Sequence, residues 1–182
     1  MNGLIEKLDR PAIIFVLVLT TVVCGALLLW REAHLGGAKD TSFVPFDRRI
    51  GYSVQEFHTD AGSLSPESRR LYAYSALSAD VLFPLAYAPL LSLLLFKVTV
   101  PRARGTAVFG LMLLLPAFAA AADLVENGSI AAILLNWADF ERLSALVRVA
   151  SAATVTKWAC LAVWLAMLGS SFSQRMTAVP HR

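Results

Sequence analysis

Four ionisable side chains in or beside apolar stretches are the residues of this sequence best suited to chemistry. Lys157 is the one charge in the stretch 149–172, and Asp80, Asp123 and Glu126 lie near the ends of two other stretches. A buried charge in a membrane is costly, so it usually has a partner and a function. Two carboxylates held close together repel each other, which raises the pKa of one of them. An acid/base enzyme or a proton carrier could use a carboxyl group with such a raised pKa. We therefore predict a polar cluster between helices.

Helical periodicity indicates which of these side chains share a face. Asp123 is three residues from Glu126 and four from Asn127, so all three lie on one face of a helix. Asp80 and Tyr87 are seven residues apart, nearly two turns, and share a face of the preceding stretch. The candidate binding site therefore consists of Asp80, Tyr87, Asp123, Glu126, Asn127 and Lys157. We expect Asp123 or Asp80 to pair with Lys157, and the sequence identifies no catalytic residue.

The charges of this predicted site do not balance, because three carboxyl groups accompany one ammonium. Either one acid is protonated, or a cation binds, or an arginine joins the cluster. The candidates for that arginine are Arg69, Arg70, Arg142 and Arg148. Three interpretations stay open: a salt-bridged clasp that holds the helices together, a ligand or substrate site, and a path for protons or ions.

The other residues that often carry chemistry form no recognisable pattern. Cys24 and Cys160 lie far apart in apolar stretches, without the spacing of a metal or haem motif. His34 and His58 lie in a polar segment without dense ligand spacing, so we predict no metal site. Nucleophile-elbow, zinc-protease and phosphate-loop motifs are lacking. We predict no cofactor, and we attribute the net charge of +3 to membrane topology rather than to nucleic-acid binding.

The elements that must position these residues are long apolar helices. Of the 182 residues, 57% are hydrophobic and 16% charged, against about 45–50% and about 25% in a soluble domain. Apolar runs of about 18 residues without charge are candidates for membrane spans. The sequence predicts spans at about 12–30, 77–97, 105–124 and 149–171. We expect one all-α membrane domain over residues 1–182, a polytopic four-helix bundle.

The segment 31–76 between the first two spans is predicted to fold as a partly helical cap. Aromatic and aliphatic residues alternate there with charges, which is typical of a packed segment. Ser53 and Glu56 fit a capping box, with Gly62 as the end of that helix. Ser65 and Pro66 fit the start of another helix that could run into the second span. The apolar run 130–137 is too short to span, so we expect it to lie in the membrane interface.

The distribution of lysine and arginine predicts the orientation of the bundle. The loop after the second span carries Lys97, Arg102 and Arg104 without an acid, and the C-terminal tail carries Arg175 and Arg182. The loop after the third span is acidic. By the positive-inside rule, both termini and the second loop face the cytoplasm. We therefore expect a multi-pass protein of a bacterial inner membrane, with the acidic cluster at the outer side.

Several short motifs resemble those of one group of membrane proteins. The motifs are Gly51-Tyr52, Arg70-x-Tyr72, Asp80-x-x-Phe83-Pro84-x-x-Tyr87, Pro116, Asp123-x-x-Glu126-Asn127 and Thr154-x-x-Lys157-Trp158. The chain resembles, from Gly51 to the fourth span, small bacterial four-helix integral membrane proteins of no assigned function. The resemblance implies four helices, and it implies that Asp80, Asp123, Glu126 and Lys157 act as one unit. It implies no substrate.

Three functional hypotheses follow from the predicted site. The first is a scaffold or binding protein in the lipid bilayer, with a lipid, a small ligand or a partner helix at the cluster. The second is a membrane-embedded acid/base enzyme acting on a lipid or isoprenoid, which requires a cavity lined by Asp80, Tyr87, Asp123 and Glu126. The third is a proton or cation carrier, which requires a polar route through the inner halves of the second and third spans. Residues 90–96 and 108–115 are almost wholly apolar there, which disfavours such a route.

Overall fold

Helices account for nearly all of the chain that the structure describes. The computed structural model describes residues 7–35, 43–99 and 107–177, and these ranges contain no strand. The helices are α1 (Pro11–Leu35), α2 (Val54–Ser63), α3 (Pro66–Ala76), α4 (Ala79–Val98), α5 (Ala107–Leu135) and α6 (Phe140–Thr177), with 3-10 turns at Phe46–Arg48 and Trp137–Asp139. The predicted all-α helical bundle is therefore confirmed.

Four helical stretches are long and apolar enough to cross a membrane. They are Pro11–Leu35, Pro66–Val98, Phe109–Leu135 and Trp137–Ser173. Large apolar side chains such as Phe15, Leu85 and Leu165 are exposed along them, as expected of surfaces that face lipid rather than water. The chain thus fits a multi-pass membrane protein. Three of the charges used to predict the orientation lie outside the described residues: Arg102, Arg104 and Arg182. The predicted start of the third span, at residue 105, also lies outside them.

The long helices pack in the order α1, α4, α5, α6. The most extensive contact joins α5 to α6, and α4 packs against both α1 and α5. The described residues of α1 and α6 make little direct contact with each other. Gly25 of α1 faces α4, and a Cβ there would make an ordinary van der Waals contact with Phe83 Cε2, at 3.7 Å. The bundle is therefore open on one side, between its first and last helices.

A compact aromatic core holds the segment 43–76, which we call the cap. Phe46 stacks on Phe57 with ring centroids 4.2 Å apart and lies parallel to Tyr72 at 6.2 Å. All three rings are fully buried, together with Ile130 and Val147 from the cap-side ends of α5 and α6. Aromatic burial of this kind is a main source of stability in a small core. The cap is therefore folded and partly helical over residues 43–76, as predicted. Residues 31–35 of the predicted cap belong to α1, and residues 36–42 lie outside the described residues.

Both helices of the cap begin with an N-capping serine at the position predicted from the sequence. Ser53 Oγ accepts from the backbone N–H of Glu56, and Glu56 reaches back to the N–H of Ser53, which completes the capping box. These hydrogen bonds from Ser53 hold the pKa of the Glu56 carboxyl below its usual range. Ser65 caps α3, with Pro66 at its first position. Helix α2 continues through Gly62 and ends at Ser63.

The third and fourth spanning helices extend further towards the cap than predicted. Helix α5 has 29 residues and α6 has 38, roughly 44 and 57 Å at 1.5 Å per residue, against a hydrocarbon core of about 30 Å. That residues 130–137 lie in the membrane interface stays a prediction. Residues 130–135 continue α5, and Ile130 and Ile133 are fully buried. They pack beneath the cap, which explains their apolar character.

A turn separates α3 from α4, so the predicted uninterrupted helix from Pro66 into the second span is wrong. Helix α3 ends at Ala76, and α4 begins at Ala79. Leu77 and Ser78 form the turn between them. The break lets α3 belong to the cap while α4 enters the bundle, and it leaves Asp80 in the first turn of α4.

Candidate functional site

Lys157 lies at the junction of α5, α6 and the cap, and its ammonium is fully engaged. Its Nζ lies 3.1 Å from Asp123 Oδ1 and 2.6 Å from Glu126 Oε2. It also donates to the backbone carbonyl of Asp47 at 3.0 Å. Three donor protons thus meet three acceptors, and an ammonium has no further protons to donate. The Lys157 side chain is only 6% exposed, so these contacts replace most of its hydration.

A second buried cation, Arg31 at the cap end of α1, completes the cluster. Its Nη1 donates to Asp80 Oδ2 at 2.8 Å and to Ser75 Oγ at 3.3 Å. Its Nη2 lies 3.1 Å from both carboxylate oxygens of Asp47. The guanidinium also lies over the ring of Tyr72, 4.6 Å from its centroid. The forked shape of arginine suits this position, because one side chain pairs with two carboxylates in different elements.

Shared residues connect the two cations into one network. Asp47 accepts from Arg31 through its carboxylate and from Lys157 through its backbone carbonyl. Asn127 Nδ2 donates to the backbone carbonyl of Asp80 at 3.1 Å and to Asp123 Oδ1 at 3.4 Å. The Tyr87 hydroxyl donates to Asp123 Oδ2 at 3.3 Å. Helices α1, α4, α5 and α6 and the cap therefore all contribute to a single buried cluster.

The structure brings together all six predicted site residues but changes the partner of one. Asp123 pairs with Lys157 as predicted, and Glu126 joins it. The alternative partner, Asp80, pairs with Arg31 instead. Asp80 lies in the first turn of α4, where it meets Arg31 from the cap end of α1.

The four arginines considered as additional members lie elsewhere. Arg70, Arg142 and Arg148 are exposed. Arg69 donates to the carbonyls of Ala61 and Leu64 and lies over the ring of Trp137. It therefore supports the cap and does not reach the cluster.

Two members of the cluster, Arg31 and Asp47, were not predicted. Arg31 follows Trp30 at the end of an apolar stretch, a position that is typical of a charged residue at a membrane boundary. Asp47 lies in a charged loop segment with no periodic pattern. The surplus of carboxyl groups over lysine was the one available signal, because an additional arginine was one of the ways to balance it, but residue spacing could not say which arginine.

The cap segment crosses the last helix closely at the cluster. A Cβ on Gly51 would lie 3.3 Å from Val155 Cγ2 and 3.4 Å from Ser151 Oγ, both on α6. The backbone N–H of Tyr52 donates to Ser151 Oγ at 2.9 Å, and Trp158 Nε1 donates to the carbonyl of Arg49 at 2.9 Å. These contacts hold the backbone of the cap over Lys157.

A cavity of about 370 Å³ lies against the cluster on the open side of the bundle. Its charged lining includes Arg31, Asp47, Asp80, Asp123 and Lys157. Its apolar and aromatic lining comes from α1, α4 and α6, namely Gly25, Leu28, Leu29, Phe83, Tyr87, Trp158 and Leu161. Volumes of this size are typical of small-molecule sites. The enzyme hypothesis requires such a cavity, and three of its four required residues line it, whereas Glu126 lies behind Lys157.

Comparison with known proteins does not assign this chain to a family. Neither the family models, nor the curated proteins, nor the solved structures contain a match to it. The case for a function therefore depends on the cavity and on the buried cluster that forms its floor.

Proposed function

We propose that this membrane protein binds an amphiphile, a lipid or a lipid-like small molecule, in the cavity between α1 and α6. The observation that supports this best is the division of the cavity lining. Leu28, Leu29 and Leu161 lie on its apolar side, and Asp80 and Asp123 lie on its charged side. A molecule with a polar head and an apolar chain matches both sides, whereas a wholly polar or a wholly apolar ligand matches one.

The position of the cavity supports access from the membrane. Helices α1 and α6 make little direct contact in the described part of the chain, so the gap between them faces the surrounding lipid. Asp123 lies roughly 24 Å along α5 from its first residue at about 1.5 Å per residue, near the far boundary of a hydrocarbon core of about 30 Å. The head of an amphiphile would therefore stay at the depth of lipid headgroups while its chain extends into the bilayer.

A leucine in place of Gly25 is expected to block binding. Gly25 lines the cavity, and the one side chain near its Cβ position is Phe83 at 3.7 Å, so a larger side chain can extend into the cavity without a backbone clash. Displacing two methylene groups of ligand from apolar contact costs about 1.6 kcal/mol at about 0.8 kcal/mol each. We expect at least about a tenfold loss of affinity, measured as lipid retained per protein by native mass spectrometry.

The matched control is Gly169→Leu. Gly169 is also a helical glycine, and no atom lies within 4 Å of its Cβ position, but it does not line the cavity. Gly169→Leu should retain the same molecules as the wild type. Equal retention by both variants, or a wild-type protein that leaves its native membrane with no bound amphiphile, would contradict the proposed function.

An acid/base enzyme acting on the bound molecule is the second candidate function. It is favoured by the position of Asp80, Tyr87 and Asp123 on the cavity wall, where a carboxyl group could exchange a proton with a ligand. The same experiment separates the two functions. A binding protein releases the molecule it took up, whereas an enzyme converts more than one molecule per protein into a chemically different product.

A carrier function has less support from the described residues. A group of buried apolar side chains lies between the polar cluster and the opposite end of the bundle. It consists of Leu93, Phe109, Leu113 and Trp164. A proton or cation would need polar groups or water along this path. The apolar cluster therefore disfavours continuous conduction through the bundle.

We further propose that the protein lies in a bacterial inner membrane with the cap outside and both termini in the cytoplasm. The charge distribution of the loops supports this orientation. Ile50 is 79% exposed on the cap, and Lys7 is exposed at the opposite end. A membrane-impermeant thiol reagent should label Ile50→Cys in cells with a permeable outer membrane and should label Lys7→Cys only after the inner membrane is opened. Labelling in the reverse order would contradict the orientation.

A further inference from the structure

The polar lining of the cavity has no hydrogen-bond donor left for a ligand among its buried cations. Lys157 donates its three protons to Asp123, Glu126 and the Asp47 carbonyl. Both terminal nitrogens of Arg31 are engaged with Asp47, Asp80 and Ser75. Its Nε is buried without a partner and does not face open space. An anionic head would therefore have to break an existing ion pair before it could bind here.

The other donors on the cavity wall are engaged as well. The Tyr87 hydroxyl donates to Asp123, and the Trp158 indole N–H donates to the Arg49 carbonyl. Arg48 lies at the rim, where its Nη1 is paired with Glu32 and its side chain is 54% exposed. The floor of the cavity therefore offers as little to a neutral head that must accept hydrogen bonds as it does to an anionic one.

Acceptors, by contrast, remain open on the same wall. Asp80 is 3% exposed and lines the cavity. Within the described residues, the hydrogen bond to its carboxylate goes to Oδ2, which leaves Oδ1 without a donor. Asp123 Oδ2 receives a single long contact, from Tyr87 at 3.3 Å. The cavity floor thus fits a head that donates hydrogen bonds.

The charge balance of the cluster favours a cationic head over a neutral head among those that donate hydrogen bonds. Two cationic side chains, Arg31 and Lys157, face four carboxyl groups of the cluster, those of Asp47, Asp80, Asp123 and Glu126. Buried carboxylates that outnumber their cations are costly, because burial removes the water that would stabilise them. A ligand that brings positive charge lowers this cost, whereas a hydroxyl group does not.

The aromatic residues beside the acids support the same choice. Phe83, Tyr87 and Trp158 line the cavity. The faces of such rings attract cations, and ammonium groups are often bound among them. An inorganic metal ion fits less well, because the described residues contain no group of three His, Cys, Asp or Glu side chains arranged to hold one.

We propose that the amphiphile of this cavity carries a cationic ammonium head, which binds at Asp80 and Asp123 while its chain lies along α1 and α6. This inference rests on the proposed function, because it names the class of ligand that the cavity takes. The head supplies the positive charge that the cluster lacks and the hydrogen-bond donors that its open acceptors need.

Three surfactants with the same chain and different heads test this proposal. Dodecylamine is cationic at pH 7, dodecanol is neutral and dodecanoate is anionic. We expect the purified wild-type protein, in an uncharged maltoside detergent, to bind dodecylamine at least about tenfold more tightly than dodecanol, which corresponds to about 1.4 kcal/mol. Dodecanoate should bind most weakly. Affinity is measured from the shift of the unfolding temperature with surfactant concentration and from native mass spectrometry.

The head-group comparison keeps the two proposals distinguishable. If no surfactant binds saturably, the proposed amphiphile function fails. If dodecanol or dodecanoate binds as tightly as dodecylamine, the function stands and the cationic head is overturned. The latter result is expected if protons on the carboxyl groups, rather than a ligand, balance the charge of the cluster.

A pair of acid-to-amide variants tests where the head binds. Asp80→Asn removes one acidic charge from the floor and should reduce the preference for dodecylamine over dodecanol to near unity, with the unfolding temperature of the ligand-free variant as a check on the fold. Glu32→Gln is the matched control, because Glu32 lies at the rim and is already paired with Arg48. An undiminished preference in Asp80→Asn would overturn the assignment of the head to this carboxylate. If Asp80→Asn does not fold, the comparison of heads on the wild-type protein still decides the proposal.

Discussion

Replacing Lys157 with methionine is expected to lower the free energy of unfolding by about 3–5 kcal/mol, the usual cost of removing one partner of a buried ion pair. The methionine would occupy similar volume, so the loss comes from charge and not from a cavity. Asp123 and Glu126 would keep their buried positions without the ammonium that lies 3.1 and 2.6 Å from them. The free energy is measured by titrating the detergent-solubilised protein with sodium dodecyl sulfate.

Two further variants show whether the loss comes from the buried pair. Lys97→Met is the matched control, because Lys97 also forms an ion pair, with Asp9, but both side chains are more than two-fifths exposed. An exposed pair contributes at most about 1 kcal/mol. Glu126→Gln combined with Lys157→Met removes one of the stranded acids and should be more stable than Lys157→Met alone. If the effects of the two substitutions simply add, the residues are not coupled and the cluster does not act as a unit.

The part of this site that could be predicted from the sequence is the part set by helical periodicity. Asp123, Glu126 and Asn127 occur at spacings of three and four, which places them on one face whatever the fold. Loop charges then oriented the helices and put Lys157 within reach of that face. Local spacing and one global rule were therefore enough to predict this half of the cluster.

The other half depends on contacts that no local rule encodes. Arg31 contacts Asp47 and Asp80, which lie 16 and 49 residues away in the sequence, so no local spacing relates them. The Lys157 ammonium similarly contacts the backbone carbonyl of Asp47, and a carbonyl has no residue type by which it could be recognised. The enzyme hypothesis required a cavity, but its position could not be predicted from the sequence. The cavity lies where α1 and α6 make little contact, and no sequence pattern indicates which helices stay apart.

The misplaced helix ends have a common physical cause. The sequence predicts a membrane boundary near Asp123 because charges usually mark one. In the structure, the acids of α5 pair with Lys157 inside the bundle, and the helix continues past them to Leu135. Its last turns bury Ile130 and Ile133 against the cap rather than in lipid. A charge near a predicted membrane boundary therefore does not mark the end of the helix that carries it.

Replacing Arg31 with methionine should destabilise the protein by a similar amount, about 3–5 kcal/mol, through a different set of contacts. Arg31 is 2% exposed and is the residue of α1 that binds both α4 and the cap. Without it, Asp80 and Asp47 lose their cation, and the cap end of α1 keeps its apolar contacts and the exposed Glu32–Arg48 ion pair. We therefore expect faster proteolysis of the segment 43–53 in addition to a lower free energy of unfolding.

Two other substitutions separate the role of Arg31 from a general effect of charge at this end of the bundle. Arg48→Met removes a neighbouring arginine whose side chain is 54% exposed and paired with Glu32, so the loss should stay within about 1 kcal/mol. Arg31→Lys keeps the charge but not the forked geometry, and an ammonium lacks the planar set of donors with which a guanidinium pairs with two carboxylates at once. Its stability should fall between those of the wild type and Arg31→Met. If Arg31→Lys were as stable as the wild type, a positive charge alone would be enough to hold α1 to the cap. The forked geometry of the guanidinium would then contribute nothing to stability.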